Sequence, residues 1–158
     1  MVGAHPRTGK SHPLRVTYFM VKMSKKVVIT TLIQSARQAL KHAYAPYSKF
    51  RVGAAVLADN GRVFCGCNIE NASFGLTVCA ERVAVFNAIS AGARRLKAIA
   101  VVSDSRGSIP YPCGACLQVL AEFAPDIRII LSTGNRSPVL KRLKDFLKLP
   151  FTLHKKIR

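Results

Sequence analysis

The chain has 158 residues, of which 49% are hydrophobic and 20% are charged. This length corresponds to one domain with a substantial core, and this composition excludes a disordered chain. No apolar run approaches the ~20 residues that a membrane-spanning helix requires. We therefore expect a soluble protein without a membrane partner.

The charge is strongly positive, because 25 lysines and arginines outnumber 7 aspartates and glutamates, which gives +18 at neutral pH. A basic domain can indicate a nucleic-acid partner. Here the basic residues are spread along the chain, and their clusters are not interleaved with aromatic residues as a single-strand binding platform requires. We expect no nucleic-acid partner, and keep a polynucleotide substrate as an alternative.

The ends of the chain differ from its middle. Residues 1–22 lack acidic residues and clear periodicity, which predicts a disordered basic extension. Met23 could be an alternative start, and a targeting segment is a second interpretation of the extension. We expect the domain itself over 23–151 and a basic tail over 152–158.

The first half of the domain reads as a helix followed by a hairpin. Apolar residues recur at helical spacing over 29–43, and Pro46 follows as a stop. Residues 50–56 alternate as in a strand. The Asp-Asn-Gly sequence at 59–61 is typical of a hairpin turn, and 63–67 supply the returning strand.

The second half reads as helices that alternate with strands. One helix is predicted over 79–91, and another begins at Cys113 and ends before Pro125. Each is followed by a buried strand, and a last helix closes the domain; these three elements are predicted over 99–102, 127–131 and 140–147. Together the elements predict an α/β sandwich with a mixed sheet.

Five cysteines are an odd number, and no secretory signal is recognisable. This usage indicates a reducing compartment, for which we expect the cytoplasm, and metal ligation rather than disulfides. Cys65 and Cys67 alternate along the second strand and are expected to be small core residues. The other three, Cys79, Cys113 and Cys116, lie at predicted helix starts.

These three thiols form a candidate zinc site. Cys113 and Cys116 are three residues apart at a helix start, so they lie on one face and can share a metal with Cys79. The positive end of each helix dipole favours the thiolate forms. Three protein ligands leave the fourth tetrahedral position open for water, as in a catalytic site, whereas a structural zinc module, our alternative, requires a fourth protein ligand.

Two residues beside Cys79 bear on the chemistry. Glu81 places an acid/base group next to an activated water, a pattern that indicates deamination of a nucleobase. Three thiolates on Zn²⁺ carry a formal charge of −1, which weakens the metal as a Lewis acid. Arg82 is expected to offset that charge by donating a hydrogen bond to a thiolate.

At these residues the chain resembles the cytidine deaminase family, in particular its short, homotetrameric class. The resemblance spans about 29–151 and includes four ordered motifs, at 43–55, 66–73, 79–82 and 112–116. It implies a three-layer α/β/α sandwich with a mixed five-stranded sheet and one Zn²⁺ per chain. It also implies hydrolytic deamination of cytidine and 2′-deoxycytidine in pyrimidine salvage.

The resemblance implies roles for individual residues. Glu81 would move protons between the water, the pyrimidine ring and the departing ammonia. Four residues would contact the nucleoside, of which Asn68 and Glu70 would bind the ribose hydroxyls; the other two are Phe50 and Ala80. Three further residues would reach the site of a neighbouring subunit in a homotetramer: Ala72, Phe74 and Phe151.

The chain departs from the family pattern at two positions. Leu117 stands where an arginine is common, which leaves Arg82 as the main neutralising group. Lys148 stands where a proline is expected, shortly before Phe151. An enzyme acting on a related nucleoside, of the antibiotic type, remains an alternative because such enzymes share the zinc motifs.

Overall fold

The computed structural model describes residues 24–105, 108–134 and 136–153. Within these residues the chain forms three α-helices and five strands: α1 (Lys25–Leu40), β1 (Val52–Ala58), β2 (Val63–Cys67), α2 (Ala80–Ser90), β3 (Leu96–Ser103), α3 (Gly114–Phe123), β4 (Arg128–Thr133) and β5 (Val139–Arg142). The expectations for residues 1–22, for Met23 and for most of the basic tail, 154–158, lie outside the described residues.

The five strands form one mixed sheet in the order β2-β1-β3-β4-β5. The predicted hairpin joins β1 to β2, and Gly61 adopts a positive φ of 84° in its turn. The β3 and β4 strands are parallel, and the other neighbouring pairs are antiparallel. The predicted mixed five-stranded sheet is therefore confirmed.

Helices cover both faces of the sheet. On one face α1 buries Leu32 and Ala36 in a cluster that includes Ala100. On the other face Ala84 of α2 and Leu120 of α3 join a larger cluster with Ile99 and other apolar residues. This arrangement confirms the predicted three-layer α/β/α sandwich. The described helices are all too short or too polar to cross a bilayer.

Two glycines allow the helices to approach the sheet closely. A Cβ atom on Gly66 of β2 would lie 2.4 Å from the backbone nitrogen of Ala84, and one on Gly53 of β1 would lie 2.1 Å from the carbonyl oxygen of Ala36. Both contacts are shorter than real Cβ atoms make. The glycine in β2 therefore sets how closely α2, which follows Cys79, lies on the sheet.

The predicted last helix over 140–147 is wrong. Its first residues form β5, which pairs with β4 so that Leu140 lies opposite Ile130, and residues Leu143–Asp145 form one turn of 3₁₀ helix. The open edge of β4 provides hydrogen-bond partners that a local apolar pattern does not reveal. Tertiary pairing thus determines the structure of this segment.

Candidate metal centre

The sulfur atoms of Cys79, Cys113 and Cys116 lie within 4.8 Å of one another. The Cys79 and Cys113 sulfurs are 3.9 Å apart, and those of Cys113 and Cys116 are 3.5 Å apart. Tetrahedral zinc with Zn–S bonds of about 2.3 Å separates its sulfur ligands by roughly 3.8 Å. The observed spacing therefore fits one zinc ion held by all three thiolates.

The starts of two helices bring these sulfurs together. Cys79 directly precedes α2 and Cys113 directly precedes α3, each in an extended conformation, while Cys116 lies in the first turn of α3. The Cys79 carbonyl accepts a hydrogen bond from Val83 (3.2 Å) and the Cys113 carbonyl one from Leu117 (3.0 Å). Each helix thus presents the positive end of its dipole to the thiol cluster.

Hydrogen bonding between the thiols sets their pKa values apart. A hydrogen bond from Cys116, aided by one from Arg82, lowers the pKa of Cys79 to about 5. The same bond with Cys79, together with burial, raises the pKa of Cys116. Binding of a metal ion to all three sulfurs must therefore displace the proton of Cys116.

The guanidinium of Arg82 contacts the cluster as expected. One of its terminal nitrogens, Nη2, donates to the carbonyl oxygen of Thr77 at 2.9 Å and lies 3.9 Å from the Cys79 sulfur. Its Nε is buried and has no hydrogen-bond partner among the described residues. Leu117, where the family commonly has an arginine, is buried in the core.

Glu81 is buried beside the thiols. The residue is only 5% exposed, and it lies two residues after Cys79 in the first turn of α2. Burial raises the pKa of this carboxyl to about 7. Among the described residues, the cluster has no fourth histidine, cysteine, aspartate or glutamate ligand. The donor set thus fits a zinc ion with one position left for a small molecule.

The predicted sugar-binding residues, Asn68 and Glu70, lie on either side of Ile69. This residue pairs with Val78, which directly precedes Cys79, through two backbone hydrogen bonds of 2.9 and 3.0 Å. Residues 68–70 also pair with Tyr44 on the other side, so Asn68 and Glu70 are joined to the segment that enters α2. This pairing brings the motif at 66–73 into one site with Cys79.

Glu70 binds the loop before β1. Its carboxylate accepts hydrogen bonds from the backbone nitrogens of Tyr47 (2.9 Å) and Ser48 (3.2 Å) and from the Ser48 hydroxyl. The hydrogen bond from the Ser48 hydroxyl lowers the pKa of Glu70. Burial acts in the opposite direction, and the two backbone hydrogen bonds lower the pKa further. Ser48 lies inside the recognised motif, but local sequence does not predict its contact with a residue on another segment.

Asn68 ties the same loop to β1. Its Oδ1 accepts from the backbone nitrogen of Val52, and its Nδ2 donates to the carbonyl oxygen of Phe50, both at 2.9 Å. Phe50 itself is half-buried, and Ala80 is fully buried as the first residue of α2. The predicted substrate-binding residues are thus close neighbours in the fold, although their contact with a substrate stays a prediction.

The three residues predicted to reach a neighbouring subunit are exposed. Phe74 is 73% exposed and makes an edge-to-face contact with Tyr47, with the ring centroids 5.8 Å apart. Phe151 is 70% exposed, and Ala72 is exposed as well. Their contacts with a neighbouring subunit stay a prediction.

Cys65 and Cys67 lie on β2 outside the thiol cluster. Cys67 is half-buried, but Cys65 is exposed, so its expected place in the core is wrong. The reason is that β2 forms an edge of the sheet, where the Cys65 sulfur lies 3.8 Å from the carbonyl oxygen of Ser35 in α1. Partial shielding of the sulfur atoms from water raises the pKa of both thiols.

Comparison with known proteins places this site in a family. Residues 26–132 match the model of the cytidine and deoxycytidylate deaminase zinc-binding region. A cytidine deaminase of Halalkalibacterium halodurans is 56% identical over 105 residues, which are 66% of this chain and 77% of that protein. A cytidine deaminase of Sporosarcina psychrophila is 54% identical over 95 residues, 60% of this chain and 69% of its own.

Solved structures show the same relationship. The crystal structure of a cytidine deaminase from Burkholderia pseudomallei matches with a TM-score of 0.74 and 42% identity, covering 82% of this chain and all of that one. A cytidine deaminase from Mycobacterium tuberculosis matches with a TM-score of 0.67 and 46% identity, over 78% of this chain and 97% of its own. The chain therefore belongs to the cytidine and deoxycytidylate deaminase family.

Proposed function

We propose that the protein is a zinc-dependent enzyme that hydrolyses cytidine and 2′-deoxycytidine to uridine and 2′-deoxyuridine with release of ammonia. The observation that carries the proposal is the buried carboxylate of Glu81 beside three thiols that lie at zinc-ligand spacing. A structural zinc module has no need of a buried, ionisable carboxylate next to its ligands, because burial of such a group is costly.

A zinc ion held by Cys79, Cys113 and Cys116 would supply Lewis-acid activation of a water molecule near neutral pH. Glu81 then serves as the proton carrier of the site. Its carboxylate accepts a proton from the attacking water and delivers it to N3 of the pyrimidine. It then takes the proton of the new C4 hydroxyl and delivers it to the amino group, which leaves as ammonia. Its burial keeps it from exchanging those protons with bulk water.

Asn68 and Glu70 are proposed to select nucleosides over free bases. After its bonds to Phe50 and Val52, the Asn68 amide keeps one N–H and one acceptor position. The Glu70 carboxylate uses three of about four acceptor positions. Both groups are held rigidly and retain hydrogen-bonding capacity, which is the property that recognition of ribose hydroxyls requires.

We propose that the protein assembles as a homotetramer. In this assembly Ala72, Phe74 and Phe151 would contact the substrate bound by a neighbouring subunit. The exposed ring of Phe74 beside that of Tyr47 supports it, because large apolar side chains grouped on a surface mark interaction sites. Such closed sites admit a nucleoside and exclude a polynucleotide despite the charge of +18. We assign the enzyme to pyrimidine salvage in the cytoplasm, where thiols stay reduced.

A substrate panel tests the activity. Zinc-loaded protein is incubated with cytidine, 2′-deoxycytidine, cytosine, deoxycytidylate and a single-stranded oligonucleotide, and ammonia release is measured. We expect turnover of the two nucleosides. Turnover of the oligonucleotide alone would instead support the polynucleotide alternative, and silence across the panel at full zinc occupancy would support a structural zinc module.

Substitution of Asn68 by alanine tests the nucleoside selection. We expect kcat/KM to fall at least tenfold more for cytidine than for cytosine, because only the nucleoside loses a sugar contact. An equal fall in kcat/KM for both substrates would show that Asn68 only stabilises the loop at 50–52.

A further inference from the structure

One side chain of α3 fastens the C-terminal segment, residues 146–153, to the domain. Gln118 donates from Nε2 to the carbonyl oxygen of Phe151 at 2.8 Å and accepts at Oε1 from the Phe151 backbone nitrogen at 3.0 Å. The planar amide therefore satisfies both backbone groups of one residue, as a neighbouring strand would. Two such bonds fix the orientation of that residue as well as its position.

The same segment also contacts the residue that precedes the motif at 112–116. Gln118 lies two residues after Cys116. The ring of Phe146 makes an edge-to-face contact with Tyr111, the residue before Pro112, at 5.9 Å between centroids. The C-terminal segment thus attaches to the chain on both sides of the motif at 112–116.

The Phe151 backbone is anchored while its side chain is not. Its ring is 70% exposed, and Leu149 and Leu153, which flank it in alternate positions, are 90% and 74% exposed. A phenylalanine ring left in water forgoes the favourable free energy of burying its apolar surface. An anchored backbone that holds an apolar ring outward is suited to placing that ring against another molecule.

We propose that Gln118 is a positioning residue for the deamination reaction, acting through the orientation of Phe151. The inference rests on the proposed function, in which Phe151 closes the substrate site of a neighbouring subunit. Gln118 makes no contact with substrate itself. Loss of its amide would release the Phe151 backbone, so the ring would close the neighbouring site only part of the time.

Substitution of Gln118 by methionine removes both hydrogen bonds and keeps the length of the side chain. We expect KM for cytidine to rise about tenfold, as the loss of two ordinary hydrogen bonds predicts. We expect kcat within about twofold of the parent and unchanged zinc content, because the thiols and Glu81 are untouched. Gln38→Met is the matched control, since Gln38 lies exposed on α1, and it should change neither constant.

A double variant separates this role from a general structural one. Phe151→Ala should raise KM by a similar factor, and Gln118→Met combined with Phe151→Ala should raise it no further, because both changes remove the same closure. Additive effects, or loss of zinc in Gln118→Met, would overturn the proposal by showing that Gln118 acts through α3 and Cys116.

Amide hydrogen exchange tests the anchor independently of catalysis. In the parent the Phe151 amide should be protected, and in Gln118→Met it should exchange at least tenfold faster. Undiminished protection in Gln118→Met would reject the anchor itself. An unchanged KM in Phe151→Ala would instead reject the lid role of Phe151, and with it the catalytic consequence, while the exchange data still report on the hydrogen bonds.

Discussion

The Nη2 atom of Arg82 lies 3.9 Å from the sulfur of Cys79 and donates to the carbonyl oxygen of Thr77. Among the described residues, Arg82 is the cation in contact with the thiol cluster. Leu117, at the position where the family pattern predicts an arginine, supplies no charge. The charge of three thiolates is therefore offset by one arginine side chain and two helix dipoles.

Replacement of Arg82 by glutamine should weaken zinc binding by about 10- to 100-fold, the effect that loss of a ligand's hydrogen-bond partner typically has. Competition with a chromogenic chelator measures the affinity. Arg128→Gln is the matched control, since it removes the same charge from an exposed position on β4. Equal affinities for the two variants would show that Arg82 does not stabilise the thiolates.

Cys116→Ser should remove bound zinc almost completely, because a neutral hydroxyl is a far poorer ligand than a thiolate. We expect less than about one tenth of the parent zinc content after dialysis, measured by atomic emission. Cys65→Ser should retain about one zinc per chain, because Cys65 lies outside the cluster. A loss of zinc in both variants would contradict the assigned ligand set.

Glu81→Gln should retain zinc and lose deamination by at least about 10²–10⁴-fold, the contribution that a positioned acid/base group makes. The amide keeps the shape of the side chain but accepts no proton. Zinc content and the initial rate of ammonia release are measured on the same sample. Glu122→Gln, on the exposed face of α3, is the control, and a comparable rate for both would refute the role of Glu81.

Because of Glu70, we expect the free energy of unfolding to depend on pH in the acid range. The Ser48 hydroxyl and the backbone hydrogen bonds lower the pKa of Glu70 in the folded state. Its contribution to the free energy of unfolding is therefore complete above the unfolded pKa of about 4.3. That contribution is lost as the pH falls through the folded pKa. Glu70→Gln should therefore be less stable than the parent at pH 6, and the gap should narrow towards pH 3. Urea unfolding across this range gives the difference.

Glu122→Gln serves again as control for that series, because its carboxylate is exposed on α3. Its stability difference from the parent should stay nearly constant between pH 6 and pH 3. A constant difference for Glu70→Gln as well would show that the carboxylate of Glu70 gains nothing from folding.

Gly66→Ala should destabilise the fold by about 3 kcal/mol, because the new methyl group meets the backbone of α2 at Ala80 and Ala84, which cannot move aside cheaply. The free energy of unfolding in urea is the measurement. Gly75→Ala is the matched control, since a Cβ there meets nothing within 4 Å. If Gly66→Ala proved as stable as this control, α2 would not be held at the distance that the structure shows.

Much of the fold could be predicted from local patterns, and the exceptions have physical causes. The hairpin at 59–61 and the helices that follow Cys79 and Cys113 are confirmed, because turn residues and helix periodicity act over a few residues. The segment 140–147 and the core position of Cys65 were predicted wrongly. Both depend on the sheet edges, which come from strand order and leave no local signal.

The sequence alone determined the chemical identity of the site: three thiols at metal-ligand spacing, a carboxylate two residues after the first, and the motifs that resemble one family. It could do so because these residue types at these spacings serve few other purposes. Only the tertiary structure decided how distant segments meet. It placed Glu70 against the Ser48 loop and Gln118 against Phe151. Those contacts depend on how segments far apart in the chain pack together, and such long-range packing leaves no periodicity in the sequence.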